Sequence, residues 1–472
     1  MLFNSLIFLI FAAIFFAVWP LIKGRILVRS TFIVIASFVF YGWWDWRFLF
    51  LIIGSGLIDF LCGLAIEKYP LRKKLFLWIS LLGNIGSLAF FKYLNFFIAN
   101  LNGAGSLLGA PLQISPLELI LPVGISFYTF QSMSYTIDVY RGQMKPTRHL
   151  SHFFAYLSMF PQLVAGPVVR AKDLIPALEK EQHVSGNDVW TGLQWIVHGY
   201  FKKMVIADSF APAVAAAFES EAVAASAAYW WLILIMFAFQ IYCDFSGYSD
   251  IARGLGKWMG FEFPPNFNHP YIAVGFSDFW SRWHMSLSTW FRDYVYIPLG
   301  GSRVSATRAQ VNMWITMLVS GLWHGAAWTF IIWGALHALY LSVERVTGWP
   351  KKIAGVPLVG KFLGMAMTFF FTCLAWCFFR AESSGQAFAI IKQLFAFDEL
   401  GVNLALSRVG AFRLILISLV FLREGFFAVG ADRLDYFKNG KHENWRVAFL
   451  AIVIVLSILF RGPGSSFIYF QF

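Results

Sequence analysis

Apolar stretches recur along the whole chain, near residues 2–22, 30–44, 47–66, 75–99, 117–138, 188–215, 224–243, 310–325, 327–345, 360–380, 407–428 and 445–461. A run of roughly 18 or more apolar residues crosses the ~30 Å of bilayer hydrocarbon as a helix. A membrane β-barrel would show short alternating segments instead, and these runs are continuous. Several are short or broken, so the pattern predicts an all-α polytopic membrane protein with about ten to twelve membrane helices. No repeat, low-complexity tract or soluble domain of useful size interrupts them, and residues 1–472 read as one membrane domain. Residues 1–140 hold the N-terminal spanning helices, 141–345 a re-entrant and interfacial core, and 346–472 the C-terminal spanning helices.

The polar positions between the runs carry topological information. Lys23, Arg25 and Arg29 follow the first run, and Lys68, Arg72, Lys73 and Lys74 follow the third. Arg141, Lys145 and Arg148 follow the fifth, whereas the link 42–46 and the uncharged loop 100–116 lack such clusters. Lys and Arg mark the cytoplasmic side of short loops. The alternation therefore predicts an N-terminus on the outside. The first run has neither a basic leader nor a small-residue cleavage site after it and reads as a retained helix.

After residue 140 the pattern deteriorates. "FPQLVAGPVV", within 149–168, cannot continue a regular membrane helix, because irregular backbone at that depth must be buried in protein or line a polar cavity. A re-entrant element is expected there. Residues 244–308 are too polar and too often broken by Pro and Gly to span simply. Their Trp-rich string with interleaved Arg and Asp suits helices that lie in the interface or dip inward.

Composition sharpens this picture. Hydrophobic residues make up 59% and charged residues 13%, too little polar surface for a water-facing globule. Aromatics reach 19%, with 20 Trp, as expected of side chains anchored at headgroup level. The net charge of +12 lies in short clusters between apolar runs, which points to anionic headgroups rather than nucleic acid. Cys62, Cys243, Cys373 and Cys377 all sit in or beside apolar stretches and suggest neither a disulfide framework nor a zinc site. No metal is expected.

Candidate chemistry falls on buried polar residues. His324 lies in "SGLWHGAAW", beside Trp323 and Gly325, inside an apolar run. An ionisable residue there suggests function, and its small neighbours would let a substrate approach. The same string also makes a Gly321/Gly325 packing seam, with His324 bonded across it. His284 in "FWSRWHMSLSTWFRDY" is either an aromatic-belt residue or a second site histidine; Arg282 and Trp283 precede it. Arg282, Arg292 and Arg303 could hold donor phosphates or snorkel to the interface. Asp244 and Asp250 bracket "DFSGYSD". Asp250 is expected to pair with Arg253, and Asp244 either lines a polar cavity or orients a histidine. Asn268 and His269 in "NFNHPY" are candidate supporting residues. His337 and Glu344 share a helix face and suggest a structural contact, His149 and His152 are expected to face headgroups, and His183, His198 and His442 give no sharper signal.

"FWSRWHMSLSTWFRDYVYIPLGG", followed some forty residues later by "LVSGLWHGAAWTFIIWGALH", resembles the paired histidine motifs of the membrane-bound O-acyltransferase family in its bacterial branch. "FYGWWDWRF", "LPVGISFYTFQSMSYTIDVYRG", "FPQLVAGPVVR", "YCDFSGYSDIARGLGKWMGF" and the terminal "FIYFQF" extend the likeness over most of the chain. The resemblance implies a helical shell around a thin centre where tunnels from the two sides meet, in a multi-pass protein of the bacterial inner membrane. It implies His324 as the catalytic base and His284 at the second motif position. The wider family often has Asn at that second position, so a positioning role for His284 stays open beside a chemical one. Asp244, Trp323, Gly325, Arg282, Trp283 and Asn268 are then tunnel or orienting candidates.

The implied reaction moves an acetyl group from acetyl-CoA or another acyl thioester toward an exopolysaccharide such as alginate. A periplasmic acetyltransferase or acyl-accepting protein is the expected partner, and no bound cofactor is expected. Peptidoglycan, cellulose and teichoic acid are alternative polymers for the same chemistry. A proton-coupled transporter would also carry buried His and Asp and a broken helix. A scaffold that only recruits a periplasmic enzyme is the third reading.

Overall fold

The computed structural model describes residues 1–163, 166–219, 226–357, 359–396, 401–428, 443–465 and 467–468. His442 and the last residues of "FIYFQF" lie outside them. The chain is all-helical, 78% helix, without a strand among the described residues. Four continuous helical stretches, Ile26–Lys68, Pro70–Leu107, Ala227–Met259 and Gly360–Arg380, are long and apolar enough to cross a membrane, and Leu6–Ile22 and Trp445–Leu459 are shorter apolar helices.

The chain divides into two compact units, one of Met1–Gly192 with Ala252–Pro264, the other of Leu193–Ile251 with Pro265–Phe472. The first contains α1 (Leu6–Ile22), α2 (Ile26–Asp45), α3 (Leu49–Lys68), α4 (Lys73–Leu88), α5 (Leu94–Leu107), α6 (Ile125–Tyr140), α7 (Leu150–Ser158), α8 (Phe160–Leu163) and α9 (Ala171–Leu178). Helices α3, α4 and α6 close around Asp59 of α3. Ser80 and Asn84 lie one turn apart on α4, and Ser132 and Thr136 one turn apart on α6, so each pair shares a face. All four donate to the buried carboxylate, Asn84 Nδ2 at 2.7 Å and Thr136 Oγ1 at 3.1 Å.

Local physics accounts for the departures from the predicted runs. The fourth run continues past residue 99, because a π-helical turn at Ala89–Tyr93 carries α4 into α5 without a break. The fifth run turns helical only at Ile125, after Pro122 and a left-handed Gly124 (φ 76°). Arg29, grouped above with the loop cations, lies inside α2 and is buried. Its guanidinium caps α9, donating to the carbonyls of Leu178 (2.6 Å) and Lys180 (2.8 Å). The expected interruption in "FPQLVAGPVV" begins at Met159, between α7 and the single turn α8. Side chains satisfy the backbone there: Phe160 N–H donates to Ser37 Oγ (3.0 Å) and Gln162 Nε2 to the Tyr156 carbonyl (2.7 Å). His152, expected to face headgroups, is buried, with its ring centroid 4.9 Å from that of exposed His149.

The chain then passes through α10 (Gly186–Tyr200), α11 (Asp208–Glu219) and α12 (Ala227–Met259), with a π-helical turn at Phe201–Ala207 between the first two. Helix α12 runs through the polar "DFSGYSD", because its carboxylates find cations, Lys203 for Asp244 and Lys202 for Asp250. Asp250, expected to pair with Arg253, is engaged by Lys202 instead. The remainder of the second unit holds α13 (Phe276–Trp280), α14 (Met285–Phe291), α15 (Ala306–His324), α16 (Trp328–Thr347), α17 (Trp349–Ala354), α18 (Gly360–Arg380), α19 (Ser384–Leu394), α20 (Val402–Val409), α21 (Ala411–Ala428) and α22 (Glu443–Leu459). Glu344 of α16 accepts the backbone N–H groups of Phe276 and Ser277 and so caps α13, while His337 packs among rings. All four cysteines are buried free thiols.

Candidate active site

His324 is the last residue of α15, and the antiparallel pairing of α15 with α16 fixes where it points. The two helices touch at glycines. A Cβ on Gly321 would lie 2.3 Å from the Phe330 carbonyl oxygen, and one on Gly334 would lie 2.5 Å from that of Met317. This approach leaves no room for a larger residue at either position. Gly325 ends α15 in an extended conformation, and a Cβ there would penetrate the Phe330 ring at 2.0 Å. The His324 ring is only 4% exposed and lies edge-on to Trp333 (4.9 Å between centroids), Trp323 (4.9 Å) and Phe379 (5.2 Å). Helices α15, α16 and α18 thus build an apolar chamber around one imidazole. The packing seam read from the sequence and the buried histidine are both present, in one structure.

His284 is held differently. It begins α14 in the left-handed region (φ 42°), and His269 also has positive φ (48°); among the described residues no other non-glycine does. Such backbone is uncommon for a residue with a Cβ, although histidine adopts it more readily than most, and it persists where surrounding contacts impose it. Here Met285 N–H donates to the Asn266 carbonyl (2.9 Å) and Asn268 N–H to the Arg282 carbonyl (2.9 Å), which tie the extended segment 266–268 to the turn before α14. The Asn266 side chain then reads the imidazole. Its Oδ1 lies 3.0 Å from His284 Nδ1, 2.9 Å from Ser286 Oγ and 3.4 Å from Ser286 N, while its Nδ2 donates to Ser249 Oγ at 3.0 Å. A backbone N–H can only donate, so the atom facing Ser286 is the amide oxygen. That assignment makes His284 Nδ1 the protonated nitrogen and places the lone pair on Nε2. The segment is not one of the membrane-crossing helices, and burial pushes the imidazole down to about 3, keeping it neutral.

One indole relates the two histidines: the Trp323 ring lies 4.9 Å from that of His324 and 6.4 Å from that of His284. Trp283 is buried between Phe279 (5.6 Å, stacked) and Phe267 (5.1 Å, edge-on), and Phe267 in turn lies 6.2 Å from the His284 ring. Arg282 is a structural clamp, with Nε donating to Asp278 (2.6 Å) and Nη1 to the Asn268 carbonyl (3.3 Å). Asn268 therefore takes part through its backbone, and the side chain that orients His284 belongs to Asn266. The sequence displayed both asparagines in "NFNHPY", two apart and so on one face of an extended segment; nothing local distinguished them. Asp244 is 2.8 Å from Lys203 Nζ and accepts the Ile468 N–H at 2.8 Å. His269 Nδ1 is 3.0 Å from Glu424, which Arg423 also engages at 2.7 Å. Glu424 escaped sequence reasoning because it lies 155 residues away on α21. Among the described residues no group of three or more His, Cys, Asp and Glu is arranged to hold a metal ion.

Comparison with known proteins adds a family to this geometry. Residues 146–353 match the MBOAT, membrane-bound O-acyltransferase, family. The chain is similar to a probable alginate O-acetylase, AlgI, of Pseudomonas aeruginosa, with 39% identity over 89% of this chain and 81% of that protein. It is similar also to a peptidoglycan O-acetyltransferase of Helicobacter pylori, at 33% identity over 94% and 92%. A teichoic acid D-alanyltransferase of Bacillus subtilis is 30% identical over 57% of this chain and 70% of its own length.

Proposed function

Since the chain belongs to the membrane-bound O-acyltransferase family, we propose that it transfers acetyl groups from a cytoplasmic thioester toward an exopolysaccharide such as alginate, with His324 as the general base. That it is a membrane-embedded O-acyltransferase follows from the family and its relatives. The donor is acetyl-CoA or another acyl thioester, and a periplasmic acetyltransferase or acyl-accepting protein takes the group onward. We further read the fold as about ten to twelve membrane helices around a tunnel that reaches both faces of a bacterial inner membrane, with the N-terminus outside.

The observation that carries the reaction assignment is the placement of two buried imidazoles against one indole, Trp323, with the His284 tautomer set by Asn266. A hydroxyl is a weak nucleophile until a base accepts its proton during attack. His324 takes that proton as the acceptor oxygen bonds to the thioester carbonyl carbon. The tetrahedral oxyanion then collapses, the C–S bond breaks, and the thiolate leaves with the proton returned from the imidazolium. An apolar chamber strengthens each of these polar steps, because little water competes. His284 is fixed by Asn266 and orients the acceptor through Nε2.

The test is thiol release and acetyl transfer by purified protein in proteoliposomes, with acetyl-CoA or an acetylated carrier protein, for wild type and His324→Ala. Loss of transfer in a folded variant is expected. Retained transfer removes His324 from the mechanism, and solute uptake without thioester cleavage would establish transport instead.

A further inference from the structure

Within the second unit a buried ionic cluster lies apart from both histidines. Helices α10 and α12 cross at Gly199 and Gly247, where a Cβ on either would come within 2.6–2.8 Å of the other's carbonyl oxygen. Lys203 follows Gly199 by one turn, and Asp244 precedes Gly247 by one turn. The close crossing therefore sets Lys203 Nζ 2.8 Å from Asp244 and 2.8 Å from Asp208, with all three side chains at most 3% exposed. One cation against two carboxylates leaves a net negative charge, which is expensive to bury unless further donors reach it.

Those donors come from the C-terminal segment. Ser465 donates to Asp208 through Oγ (2.6 Å) and N–H (3.3 Å), and Ile468 N–H donates to Asp244 (2.8 Å). The Ser465 carbonyl accepts from Lys203 at 3.1 Å, and Gly462 N–H donates to the Met204 carbonyl at 2.7 Å. Cluster and segment are thus mutually dependent: neither is satisfied without the other. Phe467 is fully buried by this docking. Its ring lies 4.5 Å from Tyr248 and 5.6 Å from Phe245, and Phe245 stands edge-on to His284 at 4.5 Å.

We propose that Lys203 is a positioning residue of the acyltransferase centre: it latches the C-terminal segment so that Phe467 backs Phe245 and fixes the His284 ring. The proposal rests on the acyl-transfer reading for its kinetic consequence, but not for the latch itself. Removing the cation leaves two buried carboxylates facing each other and expels the segment. Phe245 then loses its backing, and His284 loses one wall while Asn266 still holds its Nδ1.

Two readouts test this on the full-length protein. Ile468→Cys reports segment release by maleimide labelling, since the four native thiols are buried. Lys203→Met in that background is expected to raise labelling about tenfold and to lower kcat about tenfold or more at little-changed KM for the donor. Lys203→Met with Asp244→Asn restores the original net charge, and the Asn oxygen still accepts from residue 468. It is expected to recover both protection and rate. Asp59→Asn, in the other unit, serves as a destabilised control and should change neither labelling nor kcat. Unchanged labelling in Lys203→Met overturns the latch. Raised labelling with unaltered kcat overturns the positioning role. A wild type that cleaves no thioester defeats the functional reading, and labelling then still decides the latch.

Discussion

The first unit buries Asp59 and the second buries Asp208 and Asp244, and the two sites solve the same problem in opposite ways. Among the described residues Asp59 receives only neutral donors, Ser80, Asn84, Ser132 and Thr136, two to each carboxylate oxygen. All of them lie on α4 and α6, the helices that pack on α3. Asp208 and Asp244 instead share Lys203 and take backbone N–H groups from residues more than 220 positions away. A neutral cage staples neighbouring helices and has no further reach. An ion cluster short of one counter-charge remains open to a distant segment, and here that segment leads to His284. Buried charge of the second kind ties remote parts of the chain together.

The largest effect expected in the second unit is that of His324→Ala. Loss of a general base costs about 10²–10⁴ in kcat, measured by thioester cleavage with helicity checked by circular dichroism. Asn266→Ala comes next. Without the amide oxygen the tautomer and the ring angle of His284 are unset, and a misplacement of that kind costs on the order of 10²-fold in kcat. Asn266→Asp retains an acceptor for Nδ1–H and should lose less. Phe467→Ala follows, with an expected loss of about tenfold in kcat, since Phe245 relaxes while Asn266 still holds His284. Comparable activity in Phe467→Ala and wild type would separate the C-terminal segment from the site. Asp59→Asn sharpens the contrast from the other side. The amide brings donors to a place already filled with donors, so thermal stability should fall by about 1–3 kcal/mol while the rate per folded molecule stays unchanged. A loss of kcat there would end the division of labour between the two carboxylate sites.

The Gly325 position bears on the same contrast at shorter range. Phe330 occupies the space of a side chain at Gly325, and Phe330 also stands 5.0 Å from Phe379, a wall of the His324 chamber. The small residues beside His324 therefore serve the α15–α16 contact, and they also bring rings close to the imidazole.

Much of this was legible in the chain itself. Every apolar run predicted above contains a helix among the described residues, and the backbone breaks at Met159, two residues before Pro161, in the string where an interruption was expected. The strings around His284 and His324 stood out as candidates because buried histidine among Trp and Gly is costly and unusual, and both rings are buried. The sequence was less informative about partners. It suggested Arg253 for Asp250 on helical spacing, whereas Lys202 engages it. It placed His152 beside headgroups because its sequence neighbours are basic, but tertiary packing buries the ring.

What the sequence determined alone was membrane embedding, helical class and the two histidine strings, since hydrophobic run length, polar interruption and composition act locally along the chain. Only the tertiary structure decided which polar atoms meet. Asn266 rather than Asn268 orients His284, Glu424 reaches His269, and Lys203 gathers Asp208, Asp244 and the residues around Ser465. The Lys203 cluster depends on the helix crossing at Gly199/Gly247, and the seat of His324 on the one at Gly321/Gly334, where backbones approach because a Cβ is missing. The distance between side chains hundreds of residues apart is set by such crossings, and no local pattern encodes it.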